Sequence, residues 1–115
     1  MTTHIPTDIV LHQRSKVLEV TFDSGETYKL PFEYLRVFSP SAEVRGHGKG
    51  QEVLQLNKQD VGIDEIESVG NYAVKLNYDD GHNTGLYTWD YLYELGENQD
   101  ANWQMYLSRV AEADK

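Results

Sequence analysis

Leu18, Val20 and Phe22 alternate with Glu19 and Thr21, and the same period returns where Tyr72, Val74, Leu76 and Tyr78 alternate with Ala73, Lys75 and Asn77. A period of two sends one set of side chains to a core and the other to solvent, so both runs predict half-buried strands. Around the first run, residues 8–13 read as a preceding strand and residues 27–30 as a following one. Asp23-Ser24-Gly25-Glu26 between them is turn chemistry, because Gly supplies the positive φ that a tight reversal needs. The opening is therefore a β-meander. Pro31 stops its last strand and suits the first turn of a helix, which predicts one or two helical turns over residues 31–36.

An irregular stretch follows from Ser39 to about Gly50, with Pro40 and the alternating glycines Gly46, Gly48 and Gly50. The second β unit opens with Ile63, Ile66 and Val69, a short apolar segment ended by Gly70-Asn71. After the strand at 72–78 comes the turn 79–83, and residues 84–88 return from it. Thr88 is a helix cap for residues 89–95, with Gly96 as the stop. A last helix is predicted over about 100–113. There Trp103, Tyr106, Leu107 and Val110 fall at i, i+3, i+4 and i+7 and make one apolar stripe, which packs on its own domain or docks a partner. No internal repeat is visible.

Composition sharpens this picture. At 115 residues the chain is one domain by length, with a core over about 8–95. It has no cysteine. Disulfides, thiolate metal sites and cysteine nucleophiles are thereby excluded, and a cytoplasmic setting is expected. No run approaches the roughly 18 apolar residues of a membrane helix, and the first residues lack the pattern of a signal peptide. The formal net charge is −9, and residues 58–115 hold twelve of the 19 acidic residues against four Lys or Arg. Such a half repels phosphate backbones and anionic lipid, so nucleic-acid and membrane partners are not expected. A basic protein partner or plain solubility accounts for it better.

Few residues suggest chemistry. Arg45, His47 and Lys49 stand among glycines in the most basic stretch of the chain, where bare amides and cations can cradle an anion. No Gly-Lys-Ser/Thr ends that stretch, so it is no P-loop. His82, in Asp79-Asp80-Gly81-His82, joins these as a candidate binding residue, although the same residues are ordinary turn formers. No serine lies in a Gly-x-Ser-x-Gly context. No catalytic residue and no cofactor are assigned.

Three stretches taken together resemble a known family: Leu35-Arg36-x-x-Ser39-Pro40-Ser41, then Gly62-Ile63-x-x-Ile66-Glu67-x-Val69-Gly70-x-Tyr72-Ala73-Val74, then Asp80-Gly81-His82-x-Thr84-Gly85-x-Tyr87-x-Trp89. Their order and spacing are similar to the gamma-butyrobetaine hydroxylase-like N-terminal domain, long classed as a domain of unknown function. The resemblance implies a small α+β domain, mainly antiparallel β, with a short helix after the first meander and C-terminal helices. In the hydroxylases this domain precedes an iron- and 2-oxoglutarate-dependent catalytic domain and helps subunits associate. It also occurs beside iron–sulfur carrier domains, and bacterial stand-alone copies resemble this chain most. The hydroxylase version binds zinc through three cysteines and a histidine. Here Ser39 and Ser41 stand in two cysteine positions, Val44 falls near the third, and His82 matches the histidine. Serine is a poor zinc ligand and valine is none, so the corner is degenerate and no metal is assigned. Neither is hydroxylase activity, since the catalytic domain is not within these 115 residues.

The expectation is a non-catalytic binding or adaptor domain for a protein partner, as a monomer or weak homodimer, in an iron–sulfur or 2-oxoglutarate-oxygenase setting. The alternative is a small-molecule, anion or metal binder using the 45–50 loop and His82. Residues 39–50 are expected to lie close to the turn at 79–83.

Overall fold

The computed structural model describes residues 4–41, 44 and 54–113. In chain order its elements are β1 (Pro6–His12), β2 (Val17–Phe22), β3 (Thr27–Pro31), α1 (Phe32–Val37), β4 (Ile63–Val69), β5 (Ala73–Tyr78), β6 (Leu86–Thr88), α2 (Trp89–Glu97) and α3 (Gln99–Ala113). The strands form two antiparallel sheets, ordered β1-β2-β3 and β4-β5-β6. The fold is the expected α+β domain, with a helix after the first meander and two at the C-terminal end.

Each meander runs straight into a helix, so three strands and a helix occur twice. The registers correspond as well. Leu18 faces Leu30 and Val17 faces Pro31, while Val74 faces Tyr87 and Ala73 faces Thr88. Ile9 faces Val20 as Ile66 faces Leu76. The expectation of no internal repeat thus needs correcting at the level of backbone. The two halves share a chain path, while their side chains agree only in polarity and in an Asp-x-Gly turn. Leu18, Val20 and Phe22 are buried, and so are their counterparts Val74, Leu76 and Tyr78. All six join one core with Phe32, Tyr34, Leu35, Leu92 and Leu95 from the first two helices. Each such side chain contributes roughly 1.5–3 kcal/mol by leaving water.

Helix ends explain much of the tyrosine content. The last carbonyls of a helix have no partner within it. Here phenol hydroxyls from elsewhere supply one. Tyr87 donates to the Leu35 carbonyl at 2.6 Å and Tyr91 to the Phe38 carbonyl at 2.6 Å, both at the end of α1. Tyr34 donates to the Leu95 carbonyl of α2 at 2.7 Å.

Three details differ from the sequence expectation. Gly96 does not stop α2, which runs through it to Glu97 with Asn98 as its cap. A Cβ at Gly96 would collide with the Tyr28 ring, so this glycine lets the helix lie close on β3. Tyr72 is not in the strand. Gly70, at φ +55°, reverses the chain one residue earlier, and Tyr72 is left in the turn, 47% exposed. In α3 the stripe splits: Tyr106 is buried and Trp103 and Val110 are half-buried, but Leu107 is 44% exposed. The helix leans on its domain along one narrow line rather than across the full stripe.

Candidate functional site

The segment leaving α1 meets the second hairpin turn. Helix α1 ends because Pro40 cannot continue it, and the chain carries Ser39 and Ser41 inward, 1% and 5% exposed. The turn that follows β5 is closed by the Tyr78 amide donating to the His82 carbonyl at 3.0 Å and the Gly81 amide donating to the Tyr78 carbonyl at 3.1 Å. Gly81 holds φ +90°, the conformation glycine adopts without strain. This geometry turns His82 into the protein, where it is 5% exposed. Its Nε2 lies 2.8 Å from Ser39 Oγ and 3.3 Å from Ser41 Oγ. The Ser41 amide also donates to Ser39 Oγ at 3.4 Å. Gly85 makes room for this corner, since a Cβ there would run into Ser39 Oγ.

An ion-pair hub borders the corner. Asp80 Oδ1 accepts the His82 amide at 3.2 Å. Its Oδ2 accepts from Arg36 Nε and from Lys58 Nζ, both at 2.9 Å. Burial alone would raise the Asp80 carboxyl. Hydrogen bonds from Lys58, the His82 amide and Arg36 outweigh it and hold the group down at about 2. Arg36 is itself buried, with its guanidinium carbon 5.9 Å from the centre of the Tyr78 ring, within cation–π range. Its Nη1 has no hydrogen-bond partner among the described residues. Behind it the Tyr78 and Tyr87 hydroxyls are 2.7 Å apart, and burial pushes both phenols well up.

Of the sequence candidates, Ser39, Ser41 and His82 are brought into contact. Val44 is buried, 6% exposed, and offers no donor atom. Arg45, His47 and Lys49 lie outside the described residues. A serine hydroxyl on an imidazole is the geometry of a nucleophile and its base. Here Ser39 is 1% exposed and the same nitrogen serves a second hydroxyl, so these contacts link the end of α1 to the second turn. The donors do not fit the zinc of the hydroxylase version: one imidazole is left, already shared by hydroxyls, and an aliphatic residue falls near a thiolate position. Among the described residues no three His, Cys, Asp or Glu side chains gather as a metal group.

Sequence reasoning missed Arg36, Lys58 and the role of Asp80. A signal for Arg36 was present. It is the one charge in Tyr34-Leu35-Arg36-Val37-Phe38, and a charge inside an apolar run needs a partner.

Residues 9–93 match the family described as gamma-butyrobetaine hydroxylase-like, N-terminal. A protein whose structure was determined by NMR in solution is 50% identical over 99% of this chain and 90% of its own, with a TM-score of 0.84. A second NMR structure is 49% identical over 100% of this chain and 89% of its own, also at 0.84. A crystallised protein of unknown function from Acidithiobacillus ferrooxidans, of the DUF971 family, is 40% identical over 79% of this chain and 91% of its own, with a TM-score of 0.67. Comparison with curated proteins gives no match.

Proposed function

Since the chain belongs to the gamma-butyrobetaine hydroxylase-like N-terminal family, we propose that it works by binding, as a non-catalytic adaptor that engages another protein. The observation that carries this reading is the sealed corner. Ser39 is 1% exposed, so a substrate carbonyl has no approach to its hydroxyl, and its hydrogen bonds hold the end of α1 onto the second turn. What faces solvent is a surface rich in carboxylates, suited to a basic protein and unsuited to phosphate backbones or anionic lipid. No helix among the described residues is long and apolar enough to cross a membrane. The family resemblance implies an iron–sulfur or 2-oxoglutarate-oxygenase setting, and the cysteine-free composition fits the cytoplasm.

Two measurements test this. The tagged full chain, recovered from native lysate at ordinary salt, is expected to retain a reproducible protein. Independent preparations that retain nothing count heavily against it. A fluorophosphonate probe is expected to leave Ser39 unlabelled, and a Ser39 adduct would sink the non-catalytic reading.

A second reading, anion binding, is favoured by one observation: the buried Arg36 Nη1 without a partner among the described residues. An unsatisfied guanidinium donor takes an acceptor where one can reach it. Titration with phosphate and with acetate, followed at the Arg36 side chain and the Gly81 amide by NMR, is expected to show saturable shifts. Their absence at tens of millimolar ends this reading.

A further inference from the structure

The C-terminal helix covers the core incompletely. Between it and the start of α1 lies an open notch of about 100 Å³ lined by Pro31, Tyr34, Gln99, Asp100 and Trp103. That is well above the roughly 10–15 Å³ that admits one water, so the end of a side chain can enter it. Its aromatic walls are fixed. Tyr34 is 1% exposed, donates to the Leu95 carbonyl and accepts from Asn102 Nδ2 at 3.1 Å. Trp103 stands edge-on to Tyr34, with ring centres 6.1 Å apart at 85°. On its other side Trp103 stacks on Tyr106 at 5.0 Å and 28°, and Tyr106 is tied down through its hydroxyl to the Gln55 carbonyl at 2.6 Å.

The polar groups at the notch are the Gln99 amide and the Asp100 carboxylate, and among the described residues no cation pairs with Asp100. The surrounding charge has the same sign. Helices α2 and α3 carry Asp90, Glu94, Glu97, Asp100 and Glu112 against Arg109 as their single base. On α1, next to Tyr34, Glu33 is held above the usual carboxylate range by burial and then by Asp60. Asp100 suits the first turn of α3, which accounts for its sign but not for the two rigid rings beside it.

We propose that this notch receives a lysine side chain from a basic segment of a partner protein. An apolar stem ending in an ammonium is the group that can lie along the half-buried Trp103 ring, above a floor that Tyr34 closes, and still reach a carboxylate. An uncharged apolar side chain would bury Asp100 without a partner. Arginine's planar guanidinium favours a bidentate carboxylate fork, whereas one carboxylate beside a notch of this size suits a compact ammonium. The acidic faces around the notch steer such a segment toward it. The proposal rests on the adaptor reading and names the partner's chemistry.

The test uses the full chain labelled with ¹⁵N and three acetylated, amidated peptides of alternating alanine and lysine, arginine or norleucine. The lysine peptide is expected to shift the Trp103 indole N–H, assigned through Trp103→Phe, together with the Gln99 amide, along one saturable curve that weakens with added salt. The norleucine peptide is expected to leave both unmoved, and the arginine peptide to bind more weakly than the lysine one. Asp100→Asn and Trp103→Phe should each weaken the lysine peptide about 2- to 5-fold, the range of an exposed cation–π or charge contact. Gln99→Ala provides a further variant that spares the aromatic packing. Equal shifts with norleucine overturn the proposal, as do shifts scattered over the acidic surface that bypass Trp103. A partner recovered from lysate equally by wild type, Asp100→Asn and Gln99→Ala also overturns it, while leaving the adaptor reading intact.

Discussion

The two hairpin turns that close β2 and β5 are the same device in different surroundings. In the first, the Phe22 amide donates to the Glu26 carbonyl and the Gly25 amide to the Phe22 carbonyl, each at 2.9 Å. In the second, Tyr78, His82 and Gly81 repeat these bonds residue for residue, and Gly25 and Gly81 hold φ +94° and +90°. The residue ending each turn then reaches across to the opposite half. Glu26 accepts from Tyr93 of α2 at 2.7 Å and from Tyr28 at 2.6 Å, in the open. His82 meets Ser39 and Ser41, beyond α1, inside the protein. The third residue differs as sharply: among the described residues the Ser24 hydroxyl hydrogen-bonds to Glu26, whereas Asp80 holds two cations and an amide. Equal backbone geometry therefore does not mean equal energetic weight. Burial and the number of groups orphaned by a loss decide it.

That contrast can be broken experimentally. Asp80→Ala leaves Arg36 buried without its carboxylate and should cost about 3 kcal/mol, whereas Ser24→Ala should stay within about 0.5 kcal/mol. Urea denaturation of the two variants side by side measures the difference. His82→Ala should cost about 2 kcal/mol through the orphaned Ser39 and Ser41 hydroxyls, while Glu26→Ala should leave the unfolding midpoint within error.

Acid should act through the same asymmetry. Asp80 titrates at about 2 in the fold against 3.8 unperturbed. Its folded value is depressed, so its contribution is fully present above about pH 4 and is lost as pH falls toward 2. Solvent screening at this exposed turn discounts the contribution to about 1 kcal/mol. Wild type should lose stability over this window, and Asp80→Ala should show a flatter acid limb.

The backbone device itself should cost the same in both halves. Gly25→Ala and Gly81→Ala meet no atom within 4 Å yet keep a positive φ, so each should destabilise by about 1–2 kcal/mol. Unequal costs would show that the turns are not equivalent. The smallest effect is spectroscopic. Glu26→Gln removes the carboxylate whose hydrogen bond is the main cause holding the Tyr28 and Tyr93 phenols up. Both should ionise at lower pH in an alkaline absorbance titration.

What was legible in the sequence follows the range of the forces involved. The alternation in β2 and β5, both Asp-x-Gly turns and the Thr88 cap, which accepts the Tyr91 amide at 3.2 Å, are local and were read from neighbouring residues. Gly96 and Leu107 were misread because tertiary packing decides them: one glycine makes way for Tyr28, and one leucine points away from a narrow line of contact. The meeting of Ser39 and Ser41 with His82 was legible only through family resemblance. Hydrogen bonds spanning 41 and 43 residues leave no periodic trace. The Asp80 hub escaped for the same reason, since its cations lie 44 and 22 residues away.

The tyrosine hydroxyls on the helix carbonyls bear on the order in which the molecule takes shape. Helix α1 is six residues long, far below the length at which a helix holds its form alone in water. Its closing carbonyls wait for Tyr87 and Tyr91, which are 52 and 53 residues further along. During synthesis the carbonyls at the end of α1 lack these two hydroxyls until the second half has been made. The N-terminal half of this chain is finished by the C-terminal half.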